Sequence, residues 1–262
     1  MQISEVKNKN DIRQLKPIRE KQDIYVPNII DKNISRRNGM CYVLTGSGGS
    51  GKSSLLLSMI KSKNYYKGVF NNIYYFCPEC SMDSIENHPF KNHDKVYNEL
   101  TIDNLETIYK DLTEPEIIEK KKPNYEDDDI LEDEEEEEKE IEYNLCIIDD
   151  MADMLKEVDI QKYLSKMLIK ARHLKLSFIF LIQSYYYFPK LLRKQITYCS
   201  IFKPKNISEW ISISSELLSM NKDNGLTLYN YIYDEPYAHL DLDTVENKFY
   251  KNFNLLKFSN VK

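Results

Sequence analysis

Eight consecutive residues, 46–53, read Gly-Ser-Gly-Gly-Ser-Gly-Lys-Ser. Gly46, Gly51, Lys52 and Ser53 fall at the spacing G-x-x-x-x-G-K-[ST], with Ser47, Gly48, Gly49 and Ser50 between them. The chemistry this suits is the grip of a polyphosphate. Small residues let successive backbone N–H groups turn inward around an anion, and a helix starting at Lys52 and Ser53 and running on through Ser54 presents its positive end to the same anion. Lys52 brings a point charge to the β- and γ-phosphates, and the Ser53 hydroxyl can ligate Mg²⁺. A Gly/Ser-rich turn could match by chance, but the flanks decide. An apolar run, MCYVLT (40–45), precedes the loop, and leucines at helical spacing, KSSLLLSMIK (52–61), follow it. The ligands expected are ATP and Mg²⁺.

Such a loop needs an acidic residue at the tip of a neighbouring strand. LCII (145–148) runs straight into Asp149-Asp150. Asp149 is the candidate for the metal side. Asp150 stands where a water-activating acid belongs, although Asp is shorter than the Glu often used there. The plainer reading of either residue is a helix cap at a strand end. LSFIFLI (176–182) then leads directly into Gln183, whose amide could touch a γ-phosphate or orient water. Alone it would be an ordinary polar strand end; as the third strand-tip polar group in chain order it joins the set.

These residues need a scaffold of alternating elements. Strands are expected at 40–45, 72–77, 145–148, 176–182, 198–202 and, from alternating LTLYNYIY, 226–233; helices at 52–61, 101–112, 160–174, 188–195 and 207–220. Strands alternating with helices predict an α/β fold, a mostly parallel sheet with helices on both faces, followed by a β-rich C-terminal extension. Residues 1–39 read as a polar N-terminal arm and 40–262 as the phosphate-loop domain. That domain is interrupted at about 113–142 by an acidic insertion too poor in apolar residues to fold.

The formal net charge of −6 hides an asymmetry. Residues 126–142 hold 13 acids and one Lys; without them 35 Lys+Arg face 29 Asp+Glu, so the remainder is mildly basic and permits a polyanionic partner. No apolar run approaches a membrane span. The polar start MQISEVKNKN has no signal-peptide pattern, and five cysteines without framework spacing suit reduced thiols, so a chain that is not secreted is expected.

With these elements in place the chain resembles the genome-packaging ATPases of poxviruses, giant viruses and virophages, in the FtsK–HerA superfamily. The matching stretches are LTGSGGSGKSSLL (44–56), NLCIIDD (144–150) and ARHLKLSFIFLIQSYYYFPKLLRKQ (171–195), within about residues 40–205. The resemblance implies a RecA-like (ASCE) P-loop NTPase with an extra strand between the phosphate-loop strand and the Asp149 strand. It implies ATP hydrolysis driving double-stranded DNA into a capsid, and a homo-oligomeric ring, hexamer or pentamer, that engages a capsid or portal-vertex protein. It places the chain in the virion or in a viral factory of the host cytoplasm. It also implies an arginine finger offered to a neighbouring subunit, Arg172 first and Arg193 second; the alternative for each is a surface Arg at a helix end. Many superfamily members carry Asp-Glu where this chain has Asp149-Asp150, which leaves the catalytic base open.

Other signals carry less. Cys77, Cys80, His88 and His93 form C-x2-C-x7-H-x4-H, more compressed than the usual zinc spacing. Tyr185, Tyr186, Tyr187 and Phe188, with Lys190, Arg193, Lys194, Lys203 and Lys205 nearby, could line a DNA path or simply be core and solvated face. Two rival functions stand beside the motor: a P-loop kinase acting on a nucleotide or polynucleotide, for which no Arg-rich lid is evident, and a nucleotide-gated virion assembly scaffold.

Overall fold

The computed structural model describes residues 24–113 and 141–258; most of the acidic run, 126–140, lies outside them. Nine strands form one sheet: β1 (Cys41–Thr45), β2 (Asn72–Phe76), β3 (Val96–Tyr97), β4 (Asn144–Asp149), β5 (Leu176–Ile182), β6 (Tyr198–Phe202), β7 (His239–Asp243), β8 (Lys248–Lys251) and β9 (Asn254–Leu255). Their spatial order is β3-β2-β4-β5-β1-β6-β7-β8-β9. β3 to β6 pair in parallel around β1, whereas β7, β8 and β9 add on antiparallel. β5 therefore lies between the phosphate-loop strand and the Asp149 strand, the inserted strand that the resemblance implied.

Both faces of the central strands are buried, which is why β1, β4 and β5 read as unbroken apolar runs rather than alternating ones. Alternate residues serve opposite cores. Val43, Phe178, Phe180 and Ile148 pack with helices α3 (Ile102–Thr113), α4 (Val158–Ile169), α5 (Lys190–Arg193), α6 (Ile207–Glu216) and α7 (Lys222–Ile232). Tyr42, Leu44, Ile179 and Leu181 pack with α1 (Lys52–Lys61) and with Val26, Ile29 and Ile34 of the segment before β1. A short α2 (Glu79–Asp83) follows β2. No helix among the described residues is long and apolar enough to cross a membrane.

One expected strand is a helix. Residues 226–233 lie within α7 and the residue that ends it. Asn221 caps it by accepting a hydrogen bond from Asn224 N at 2.9 Å, and the buried positions Gly225, Leu228 and Ile232 follow helical spacing. Tyr229 and Tyr233 close edge-on around Trp210, whose indole N–H donates to Gly225 O at 2.7 Å. Burial recurs at three- and four-residue intervals, so the alternation of residue types does not correspond to a buried face. The β-rich end of the chain is instead β7–β9.

Candidate active site

The phosphate loop leaves β1 at Thr45 and enters α1 at Lys52. Gly46 is required by contact, since a Cβ there would meet Phe202 Cβ at 2.6 Å, and Gly51 by its backbone, with φ at 102°. Gly51 caps α1 without any side-chain acceptor, so the first-turn N–H groups, including those of Ser53 and Ser54, keep their capacity for an external anion. Gly48 and Gly49 face open space. The loop is tied to the sheet by Gly46 N–H donating to Ile182 O at 3.2 Å. Lys52 Nζ folds back onto the loop, donating to Gly46 O at 2.6 Å and Ser47 O at 3.0 Å. Burial lowers its pKa, opposed by the nearby Asp149 and Asp150 carboxylates.

Asp149 ends β4, buried at 7% exposure. Its Oδ2 accepts from Ser53 Oγ at 3.3 Å and from Tyr75 OH at 3.0 Å. Burial drives its pKa up to about 6, against the Tyr75 donor and with help from Asp150. Tyr75, at the neighbouring strand tip, is itself held. Phe90 stacks on it at 4.7 Å, and His88 Nε2 lies 3.3 Å from its hydroxyl. Phe90 N–H donates to His88 Nδ1, which assigns the ring proton to Nε2 and gives a directed chain from His88 through Tyr75 to Asp149. His88 thus serves the carboxylate. Among the described residues no cluster of three His, Cys, Asp or Glu gathers at a metal-binding distance, and Cys77 Sγ donates to Pro78 O.

Asp150 is oriented by two donors, Gln183 Nε2 at 2.8 Å and Ser81 Oγ at 3.1 Å. Lys52, Ser53, Tyr75, Asp149, Asp150, Gln183, Gly48 and Gly49 thus surround one cavity of about 270 Å³. The loop, both aspartates and Gln183 are brought together at the same end of the sheet.

A second cavity, about 560 Å³, continues from the loop on its other side. Ser47, Gly49 and Ser50 form one wall, and residues 202–205 and 233–238 form the rest. Ser50 Oγ is buried with no hydrogen-bond partner, and Tyr237, 72% exposed with φ 62°, lies against Gly51. Sequence reasoning missed this wall, because Tyr237 is 186 positions beyond the loop it adjoins and belongs to no local motif.

The two arginines lie elsewhere. Arg172 is exposed in the turn before β5, at the opposite end of the parallel strands from the loop. A seven-residue strand spans roughly 23 Å, so Arg172 cannot serve its own chain's phosphates. Arg193 is spent internally: it donates to Phe188 O, Tyr185 O and Glu216, and lies over the Tyr185 ring at 4.3 Å. Glu209, which no motif flagged, is 5% exposed on α6 and accepts from Ser184 Oγ and Tyr185 N, both at 2.7 Å, fixing the turn directly after Gln183.

The fold is shared with solved structures. The DNA-packaging ATPase B204 of Sulfolobus turreted icosahedral virus matches with a TM-score of 0.54 at 14% identity, over 81% of this chain and 96% of that one. The genome packaging NTPase B204 of Sulfolobus turreted icosahedral virus 2, in complex with ATP-gammaS, matches with a TM-score of 0.52 at 15% identity, over 82% and 97%. No curated protein matches by sequence. The model of the poxvirus A32 protein family matches residues 30–224, and the chain belongs to that family.

Proposed function

We propose that this chain is a subunit of an ATP-hydrolysing motor that moves viral double-stranded DNA into a capsid. The observation that carries the reading is the convergence, at one end of a parallel sheet, of the phosphate loop, the Ser53–Asp149 oxygen pair and the Asp150–Gln183 pair. Family membership gives the motor its context, and the B204 proteins of similar fold are described as packaging enzymes.

The residues present fit ATP and Mg²⁺. The open faces of Gly48 and Gly49, the uncapped start of α1 and the Lys52 ammonium suit a polyphosphate. Ser53 Oγ and the Asp149 carboxylate, 3.3 Å apart, are hard oxygen donors that would hold Mg²⁺. The metal would supply charge neutralisation at the transferred phosphoryl group. Asp150 would accept a proton from attacking water, with Gln183 and Ser81 fixing the direction of its carboxylate. The second cavity would take the base and ribose, with the Tyr237 ring as a stacking wall and Ser50 Oγ finding its missing partner.

Arg172 would act on a neighbouring subunit's phosphates, which calls for a ring, a hexamer or pentamer. A capsid or portal-vertex protein would be its docking partner, in the virion or in a viral factory of the host cytoplasm. The test is steady-state ATPase activity with and without long duplex DNA across a series of protein concentrations. Turnover rising with both supports shared sites in a DNA motor. Turnover insensitive to both refutes it; phosphate transfer to a nucleoside instead of water would indicate a kinase, and binding without hydrolysis a scaffold.

A further inference from the structure

Resting on that reading, we infer that the turn formed by residues 184–188, with the lysines around it, is the surface that grips the DNA backbone. Residues 184–206 contain Lys190, Arg193, Lys194, Lys203 and Lys205 and not one acid, in a chain whose formal net charge is −6. The four-aromatic run within it divides cleanly. Tyr185 and Phe188 are fully buried, whereas Tyr186 and Tyr187 are 49% and 48% exposed. Core packing therefore explains one pair and leaves the other at the surface. Lys190 is exposed at the start of α5, three residues after Tyr187, and exposed Lys205 shares a cleft with Tyr186 and Tyr187. Lys156 lies 5.8 Å from the Tyr187 ring centre but is paired with Asp153; among the described residues Lys190 and Lys205 form no ion pair, although Glu209 lines the same cleft as Lys205. Lysines flanking phenolic hydroxyls are the side chains that hold phosphate oxygens in duplex complexes without reading sequence.

The turn's location gives this surface a purpose. Its first residue follows Gln183, whose amide orients Asp150. The cleft that holds Tyr186, Tyr187 and Lys205 also includes Ser47 and Gly48 of the phosphate loop. The turn does not hang loose. Glu209 accepts from Ser184 Oγ and Tyr185 N, and Tyr186 OH lies 2.9 Å from Ser212 Oγ and donates to Ser208 O, so α6 holds its first three residues, while Arg193 donates to Phe188 O at its far end. A phosphate backbone pressing on Tyr187 and Lys190 displaces the same short turn that positions Gln183. Glu209 is thus a positioning residue between the DNA surface and the hydrolytic site.

The experiment uses the full chain and a fluorescent 40-base-pair duplex, titrated across a salt series, with fluorescent ATP-analogue binding as the control for folding. The double variant Tyr187→Ala/Lys190→Ala should bind duplex about tenfold more weakly and lower the slope of log affinity against log salt by about one, the share of one phosphate contact. Analogue binding should match wild type. Glu209→Gln should keep duplex affinity while losing most of the DNA stimulation of turnover. Duplex affinity and salt slope unchanged in the double variant overturn the inference while leaving the motor reading intact. A wild-type chain that neither binds duplex nor is stimulated by it overturns the motor reading itself.

Discussion

Replacing Lys52 with Met keeps most of the stem and removes only the ammonium. That ammonium is buried and hydrogen-bonds to two neutral carbonyls, Gly46 O and Ser47 O, with the Asp149 and Asp150 carboxylates nearby. Its pKa lies below the ordinary 10.5 because burial disfavours the charge. The folded state thus loses its proton before the unfolded state does, so this group makes the free protein gain stability as pH rises from the folded pKa towards 10.5. Lys52→Met should abolish that rise and leave the melting temperature at neutral pH unchanged or higher. ATP behaves oppositely. At a hundred times its Kd, ATP stabilises wild type by about 2.7 kcal/mol, or roughly 5–11 °C for a chain of this size. Losing one charge-assisted contact of about 1.5–3 kcal/mol weakens binding some 10- to 150-fold. At the same ATP concentration the gain falls to about 0.3–1.4 kcal/mol, a shift of roughly 1–6 °C. Differential scanning fluorimetry with and without ATP, beside a phosphate-release assay, measures both effects. A variant with wild-type turnover, or with the full wild-type ATP shift, would refute the placement of Lys52 at the phosphates.

Asp149→Asn should lower turnover at least about a hundredfold, since several kcal/mol of charge stabilisation depend on a metal ligand. Because burial holds the Asp149 carboxyl at about 6 against an ordinary 3.8, the folded state keeps its proton longer. Stability from this group is therefore present below 3.8 and lost as pH rises towards 6, a slope that urea melts should find missing in Asp149→Asn. Tyr237→Ala should raise the KM for ATP about five- to tenfold, as expected for a lost aromatic contact of about 1–1.5 kcal/mol. Inhibition by inorganic tripolyphosphate should stay unchanged; an equal loss for tripolyphosphate would place Tyr237 at the phosphates instead of the base.

Local signals carried far in this chain. The loop, Asp149 and Gln183 each sit where an apolar strand stops, and a strand buried on both faces announces itself as a short continuous apolar run. What stayed hidden was written in distant pairs. Tyr75 is one tyrosine among twenty, and its contact with Asp149 spans 74 positions. His88 stood in a pattern suggestive of metal, while its neighbours in space, Tyr75 and Phe90, make it a hydrogen-bond anchor. Glu209 looks like any first-turn helix acid until the turn 24 residues earlier folds onto it. In 226–233 the tyrosines obscured the period, because Tyr229 and Tyr233 gain their burial from Trp210 on another helix. The β-rich C-terminal extension was expected, but its strands β7–β9 were not placed, because their pairings are set by antiparallel partners and not by any long apolar run.

The backbone at Asp150 bears on which acid can stand there. Its φ is 57°, in the left-handed region. For most side chains that conformation costs about 1–2 kcal/mol, but Asp and Asn tolerate it because their short polar groups bond locally. A longer Glu would meet the full cost and would have to find room past Gln183 and Ser81, which already grip the shorter carboxylate. The departure from Asp-Glu is then a matter of chain geometry as much as of acid strength. The left-handed corner sets the Asp150 carboxylate where Gln183 and Ser81 donate to it, in the wall of the cavity. Asn at this position preserves the corner and removes the charge, whereas Glu preserves the charge and disturbs the corner. The pair of variants separates the two contributions that a single alanine would merge.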